Sequence, residues 1–287
     1  MQNKDKKEAV YFGLYRMAAD DIEKEFPKGY LNVYIAGMSP NDTGAAAGAL
    51  NTVRRYGGKV WLSPGGVFAY GSPTVLADNW RANLSGMIDT LTRDAGLEDV
   101  LGFYFDEPLL NGVSKADYRT LTRFLRETWP EMRVMSIFAV NAIDPSVWTT
   151  GHDQVLDPET LRYTTDAGYD MYHDLRGDGI CPYRKLNAAL KERFGREDFR
   201  VWHVPCVMNY FGKQEEACAR AHTEAMYGFL KEEKNPGGLM CYAYSIPNRD
   251  GDLGNVGLDE MGARPGAPWS SLYERVQEIG KEILAGN

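Results

Sequence analysis

The chain alternates short apolar runs with longer segments in which apolar residues recur every three to four positions. Eight apolar runs have the length of a β-strand, and several are apolar on both faces, as strands buried in a parallel sheet are. Segments with helical spacing lie between them, including Val75–Ala95, Lys115–Thr128 and Glu215–Glu233, and Trp269–Leu284 closes the chain as a helix. The predicted strands are Val10–Met17, Leu31–Gly37, Lys59–Pro64, Val100–Asp106, Arg133–Val140, Gly168–Asp174, Arg200–Met208 and Gly238–Ile246.

The spacing of these runs predicts the fold. Their starts lie on average about 33 residues apart, close to the roughly 250 residues that eight βα units occupy in a TIM barrel. We therefore predict a single (β/α)8 TIM barrel, α/β in class, as one domain over residues 1–287 with 1–8 as a polar lead-in. An open doubly wound sheet is the alternative. That fold normally has a glycine fingerprint after its first strand, where this chain has Arg16–Asp20.

Composition and charge exclude several classes of partner. The chain has 287 residues, 44% hydrophobic and 25% charged, which is typical of a globular protein. Its 32 basic and 40 acidic residues give a net charge of −8, so we expect no nucleic-acid partner. We also expect no membrane partner, since no stretch approaches the roughly 18 to 20 apolar residues of a span. The start predicts a cytoplasmic protein, or a secreted or periplasmic one if a signal peptide was removed.

Two adjacent carboxylates mark the carboxyl end of the fourth predicted strand. The segment Gly102–Pro108 reads GFYFDEP, and in a TIM barrel the active site is built at these strand ends. Burial at an apolar strand end and an ionised neighbour both raise the pKa of a carboxyl group, which suits Asp106 and Glu107 to acid catalysis. The structural alternative is that one of them caps the next helix or pairs with Arg16.

The run FYFDEP resembles the fourth strand of TIM-barrel glycoside hydrolases of the N-acetylhexosaminidase type, without identifying an exact family. The resemblance implies that Glu107 is the general acid/base that protonates the glycosidic oxygen. It implies that Asp106 orients and polarises the substrate's 2-acetamido group, whose carbonyl oxygen attacks the anomeric carbon. Tyr244 and Tyr172 are the candidates for a tyrosine that hydrogen-bonds the acetamido oxygen.

The alternative mechanism needs a second carboxylate as nucleophile, about 5 Å from the acid in retaining enzymes. The seventh predicted strand contains no Asp or Glu, so this group would come from Asp174, or from Asp250 or Asp252. Asp174 is the best candidate, because strand alternation places it on one face with Asp170 and Tyr172.

The overall prediction is a glycoside hydrolase with a carbohydrate substrate and no cofactor. The histidines never occur at HxH or HExxH spacing, so no metal site is predicted. A non-catalytic carbohydrate-binding barrel, or a barrel enzyme of other chemistry such as a lyase or metal-dependent aldolase, remains the alternative. The predicted substrate-binding residues close strands or follow them: Arg16, Tyr70, Asn141, Tyr172, Asp174, Asn209, Tyr210 and Tyr244.

Overall fold

Eight parallel strands form a barrel in the computed structural model, which confirms the predicted (β/α)8 fold. The structure describes residues 8–147, 154–172, 180–209, 215–246 and 255–287. Each strand from β2 to β8 pairs in parallel with its neighbour around the barrel, and β8 pairs with β1. The strands are β1 (Tyr11–Leu14), β2 (Val33–Met38), β3 (Lys59–Pro64), β4 (Val100–Asp106), β5 (Arg133–Ala139), β6 (Asp166–Asp170), β7 (Arg200–His203) and β8 (Pro236–Cys241).

Helices follow most strands and pack on the outside of the barrel. In the described part of the segment between β5 and β6, the only helical turn is the 3-10 turn Val140–Ala142. No helix among the described residues is long and apolar enough to cross a membrane. The helices are α1 (Ala19–Glu25), α2 (Gly44–Arg55), α3 (Trp80–Ala95), α4 (Lys115–Thr128), α5 (Ile180–Phe194), α6 (Glu216–Glu232), α7 (Leu258–Met261) and α8 (Ser270–Ala285).

Four strands, β1, β6, β7 and β8, end at least three residues earlier than the apolar pattern predicts. β7 ends at His203, because Pro205 two residues on has no backbone N–H to donate to a neighbouring strand. β6 begins at Asp166 and ends at Asp170, which pairs with Ala139 at the end of β5. The neighbouring strands β5 and β7 end at Ala139 and His203, so the backbone beyond Asp170 has no strand with which to pair.

A short antiparallel ribbon replaces the start of the helix predicted from Val75. Phe68–Ala69 pairs with Val75–Leu76, and α3 begins only at Trp80. The ribbon lies directly after β3, at the carboxyl ends of the barrel strands. It therefore belongs to the end of the barrel where active sites are built.

Large aromatic side chains fill the inside of the barrel. Trp61 and Trp202 are fully buried there and meet edge to face, with ring centroids 6.0 Å apart. Gly102 makes room on β4, where a Cβ atom would lie 2.0 Å from the carbonyl oxygen of Arg133. At the amino end, the buried Asp166 pairs with Arg133 and accepts a 2.8 Å hydrogen bond from Trp202 Nε1. The interior is a packed core, so a ligand can enter only at its ends.

A side chain closes the barrel between its first and second strands. The backbone N–H of Asn32, just before β2, donates to the carbonyl oxygen of Phe12 at 3.1 Å. The Asn32 side chain continues this pairing, since its Oδ1 accepts from the Phe12 N–H at 2.7 Å and its Nδ2 donates to Val10 at 3.1 Å. Asn32 therefore satisfies strand backbone groups that a short β1 leaves exposed.

Replacing Asn32 with Ala should destabilise the barrel by roughly 1–3 kcal/mol, because the part-buried Phe12 N–H loses its partner, whereas the Val10 carbonyl keeps a hydrogen bond from Asn287. Urea denaturation measures this loss. Asn79→Ala is the matched control, since Asn79 is exposed and its side chain makes no capping hydrogen bond. Equal stability of the two variants would show that the junction between β1 and β2 does not depend on the Asn32 side chain.

Candidate active site

Asp106 is the last residue of β4, and two tyrosine hydroxyls donate hydrogen bonds to its carboxylate. Tyr104 donates to Oδ1 at 2.7 Å, and Tyr15, just after β1, donates to Oδ2 at 2.8 Å. Burial raises the pKa of both phenols, and the negative charge of Asp106 raises them further. Both hydroxyls therefore stay protonated and keep donating, which fixes the orientation of the carboxylate.

The backbone turns sharply at Glu107. Its φ of 42° lies in the left-handed region, which is rarely adopted by residues other than glycine and clusters at functional sites. Two backbone hydrogen bonds hold it: its N–H donates to Ile137 at 2.8 Å, and its carbonyl accepts from the Asn111 N–H at 3.0 Å. Asn111 Nδ2 also donates to the Asp106 carbonyl at 3.1 Å. The turn brings the Glu107 side chain to the barrel mouth beside Asp106.

The Glu107 carboxyl group interacts with the carboxyl group of Asp170, the last residue of β6. Burial, and then the charge of Asp106, raise the pKa of Glu107 to about 7. Burial also raises the pKa of Asp170 well above its usual range, helped by the charges of Glu107 and Asp106. Two carboxyl groups in contact titrate as a pair, and this pair keeps a proton near neutral pH.

Asp170 is not among the predicted site residues. Strand alternation places it on one face with Tyr172, but the predicted strand extends four residues beyond Asp170 and therefore favours Asp174. The available signal was an acidic residue at even spacing within an apolar run. Asp174 itself lies outside the described residues, as do Tyr210, Asp250 and Asp252.

Stacked tyrosines form one wall of the site. The Tyr172 and Tyr242 rings are 4.7 Å apart and nearly parallel, and Tyr242 also lies 5.3 Å from Tyr15. The exposed Arg16, at φ 58°, holds its guanidinium 5.9 Å above the Tyr242 ring. Flat aromatic surfaces of this kind suit the faces of sugar rings. Tyr242 was not among the predicted site residues.

A cavity of about 200 Å³ adjoins Asp106, lined by the end of β3, the ribbon and the loop after Glu107. Tyr70, from the ribbon after β3, lines it and is 74% exposed. The structure thus brings Arg16, Tyr70 and Tyr172 to the same end of the barrel as the two predicted carboxylates.

Other predicted site residues have different surroundings. Tyr244 is buried in the outer layer, where its hydroxyl donates to Glu25 Oε1 at 2.9 Å, so the expectation that it faces a substrate is corrected. The same buried carboxylate accepts from Tyr30 and Tyr273. Asn141 is buried in the 3-10 turn after β5, and the Asn209 backbone pairs with Val256.

Neither Asp106 nor Glu107 caps the next helix, α4. Ser114 caps α4, accepting a hydrogen bond from the Asp117 N–H at 3.0 Å. Within the described ranges, no group of three or more His, Cys, Asp or Glu side chains is arranged to hold a metal ion.

No protein-family model matches this sequence, and no curated protein matches it. Solved structures do match in fold. A GH5_18 protein from Streptomyces cattleya in complex with GlcNAc is 13% identical over 96% of this chain and 80% of its own, with a TM-score of 0.66. An endo-1,4-β-mannanase from Rhizomucor miehei is 10% identical over 99% and 97%, with a TM-score of 0.62. A GH18 chitinase from Pseudoalteromonas aurantia is 13% identical over 83% and 94%, with a TM-score of 0.51.

The raised pKa of Glu107 predicts how stability depends on pH. In the folded protein the Glu107 carboxyl group holds its proton up to about pH 7, whereas the ordinary pKa of a glutamate side chain is 4.5. Between these values the folded state binds more protons than the unfolded state, so the free energy of unfolding falls as pH rises. In Glu107→Gln we expect this fall to be smaller by on the order of 2 kcal/mol, measured by urea denaturation across that range.

Glu127→Gln is the control for this experiment. Glu127 is an exposed carboxylate on α4 and should follow the wild-type pH dependence. If the free energy of unfolding depends on pH in the same way in wild type and in Glu107→Gln, Glu107 does not carry the proton.

Proposed function

We propose that this protein is a glycoside hydrolase in which Glu107 is the general acid/base. The observation that carries the proposal is the contact between the Glu107 and Asp170 carboxyl groups at the mouth of the barrel, beside the tyrosine-held Asp106. A pKa of about 7 lets Glu107 give up a proton and take it back near neutral pH. Acid cleavage of a glycosidic bond needs a group with this property.

Substrate assistance is the mechanism that this arrangement favours. A two-carboxylate retaining enzyme needs an ionised carboxylate as its nucleophile. Burial raises the pKa of Asp170 well above its usual range, so this carboxyl group holds a proton and is a poor nucleophile. The described residues of the strand-7 segment, 200–209, contain no Asp or Glu.

The reaction proceeds in two steps. Glu107 protonates the glycosidic oxygen as its bond to the anomeric carbon breaks, and the substrate's acetamido oxygen forms the new bond to that carbon. Asp106 accepts the hydrogen bond of the acetamido N–H, which carries the positive charge of the oxazolinium ion. Water then attacks the anomeric carbon, Glu107 removes its proton, and the acetamide is restored.

Two similar structures bear on the substrate class. The Streptomyces cattleya protein is in complex with GlcNAc, which carries the 2-acetamido group that the mechanism requires. The Pseudoalteromonas aurantia protein is a chitinase. They support an N-acetylhexosamine at the cleavage point as the first substrate to test.

Glu107→Gln should lower kcat/KM by roughly 10²–10⁴-fold on glycosides with poor leaving groups, because the leaving oxygen is no longer protonated. The loss should be much smaller for a dinitrophenyl glycoside, whose leaving group needs no proton. In the wild type, activity should fall as pH rises through about 7, where Glu107 loses its proton, and the variant should lack this limb. Steady-state kinetics over a pH series measures both effects.

Glu127→Gln again serves as the exposed control and should retain full activity. Sugar binding by Glu107→Gln, measured by calorimetry, separates the enzyme from a carbohydrate-binding barrel. Equal activity of Glu107→Gln and wild type would rule out Glu107 as the acid.

Asp106→Asn should reduce kcat by something like 10²–10⁴-fold on 2-acetamido glycosides, with an unchanged melting temperature. The amide keeps the size of the side chain but removes the charge that stabilises the oxazolinium ion. A thiazoline analogue should inhibit the wild type, and a 2-fluoro glycoside should leave no label. Intact-protein mass spectrometry that finds a covalent glycosyl adduct on Asp170, Asp174 or another carboxylate would contradict substrate assistance.

A further inference from the structure

Glu25 is a buried carboxylate in the outer layer, apart from the groups of the proposed reaction. It is the last residue of α1, is 2% exposed and accepts four hydrogen bonds. On Oε1 it accepts from Lys28 Nζ at 2.8 Å and from the Tyr244 hydroxyl at 2.9 Å. On Oε2 it accepts from the hydroxyls of Tyr30 at 2.5 Å and Tyr273 at 2.7 Å. The carboxylate therefore joins the end of α1 to α8 and to the segment after β8.

Glu25 is an anion in spite of its burial. Burial alone would raise the pKa of its carboxyl group, but the hydrogen bonds from Lys28 and the three tyrosines bring the pKa below its ordinary value. Burial, and then the charge of Glu25, raise the pKa of Tyr244, so its hydroxyl keeps its proton and donates. Hydrogen bonds to a charged acceptor are among the stronger ones in proteins, so this contact holds the Tyr244 side chain in place.

The backbone of Tyr244 binds the residue that supports Asp106. Its N–H donates to the Tyr15 carbonyl at 2.9 Å. The Tyr15 N–H donates to the carbonyl of Cys241, the last residue of β8, also at 2.9 Å. Tyr244 thus binds the β1–α1 unit at two places, at Tyr15 just after β1 and at Glu25 at the end of α1.

Tyr15 connects these contacts to the site. Its hydroxyl donates to Asp106 Oδ2 at 2.8 Å, and its ring lies 5.3 Å from the ring of Tyr242. A hydrogen bond weakens steeply when its angle departs from the preferred geometry, so the orientation of Asp106 depends on where the Tyr15 backbone lies. Tyr244 helps to fix that backbone from the outer side of the barrel wall.

We propose that Glu25 and Tyr244 are positioning residues for the reaction. Glu25 holds the Tyr244 hydroxyl, and the Tyr244 backbone holds Tyr15. Tyr15 in turn orients the Asp106 carboxylate. The inference rests on the proposed function and adds two residues that do not touch the substrate. Their effect falls on turnover more than on substrate binding, because Asp106 stabilises charge that develops in the transition state.

Tyr244→Phe tests this role, since it removes only the hydroxyl that binds Glu25 and leaves the buried charge in place. A panel of nitrophenyl glycosides first identifies the substrate that the wild type cleaves. On that substrate we expect kcat to fall roughly three- to tenfold, the range for one lost hydrogen bond, with little change in KM. Steady-state kinetics measures both constants, and a thermal melt measures the stability of the same preparation.

Tyr273→Phe is the matched control. It removes a hydroxyl from the same carboxylate, but from the other oxygen, and no described hydrogen bond joins Tyr273 to Tyr15. It should lower the melting temperature about as much as Tyr244→Phe and leave kcat unchanged.

A double-mutant cycle separates positioning from a general loss of stability. Tyr15→Phe removes the hydroxyl that binds Asp106, so in this background Tyr244 has no further effect on the carboxylate. We expect the Tyr15→Phe/Tyr244→Phe double variant to have the same kcat as Tyr15→Phe alone. Its melting temperature should still be lower than that of Tyr15→Phe, because the hydrogen bond to Glu25 is lost in either background.

The outcomes separate this inference from the function on which it rests. Equal kcat values for Tyr244→Phe and Tyr273→Phe would overturn the inference and leave the hydrolase intact. A further loss of kcat when Tyr244→Phe is added to Tyr15→Phe would also overturn it, because Tyr244 would then act by another route. If the wild type hydrolyses no glycoside, the proposed function is wrong, and the inference with it.

Discussion

Two carboxyl groups in contact cannot both be ionised where aromatic rings have displaced most of the water, and this constraint governs the whole site. Glu107 and Asp170 satisfy it by keeping a proton between them. Asp106, close by, is a separate acceptor, because the hydroxyls of Tyr15 and Tyr104 each bind one of its oxygens. The site thus places a proton source and a fixed negative charge side by side. A reaction that develops positive charge next to a protonated leaving group needs both.

The barrel strands and Asn111 together fix the positions of the carboxyl groups in the site. β4 and β6 each direct their last residue inwards, and the left-handed turn at Glu107 adds a second carboxyl group at the end of the same strand. Asn111 holds this turn by bonding to the backbone on both sides of it. A conformation that costs on the order of 1–3 kcal/mol persists because its surroundings leave no alternative.

Features that depend only on neighbouring residues in the chain could be predicted from the sequence. Eight apolar runs at regular spacing predicted the barrel, and the end of β4 predicted Asp106 and Glu107. Asp170 could not be placed, because the point where β6 ends depends on the lengths of its neighbours and not on its own residues. Tyr242 and Tyr244 would share a face in a continued strand, but β8 ends at Cys241, and the two side chains go to opposite sides of the wall. The ribbon was missed because its second strand begins the run that reads as α3.

The ribbon after β3 also affects how this barrel can diversify during evolution. It is an insertion between a strand and a helix, so its length and sequence can change while the eight-stranded framework is inherited intact. That freedom has one limit, since the Thr74 hydroxyl binds the carbonyl of the same asparagine that holds the turn at Glu107. A loop that replaces the ribbon keeps this support of Asn111 only if it supplies a donor at the same carbonyl.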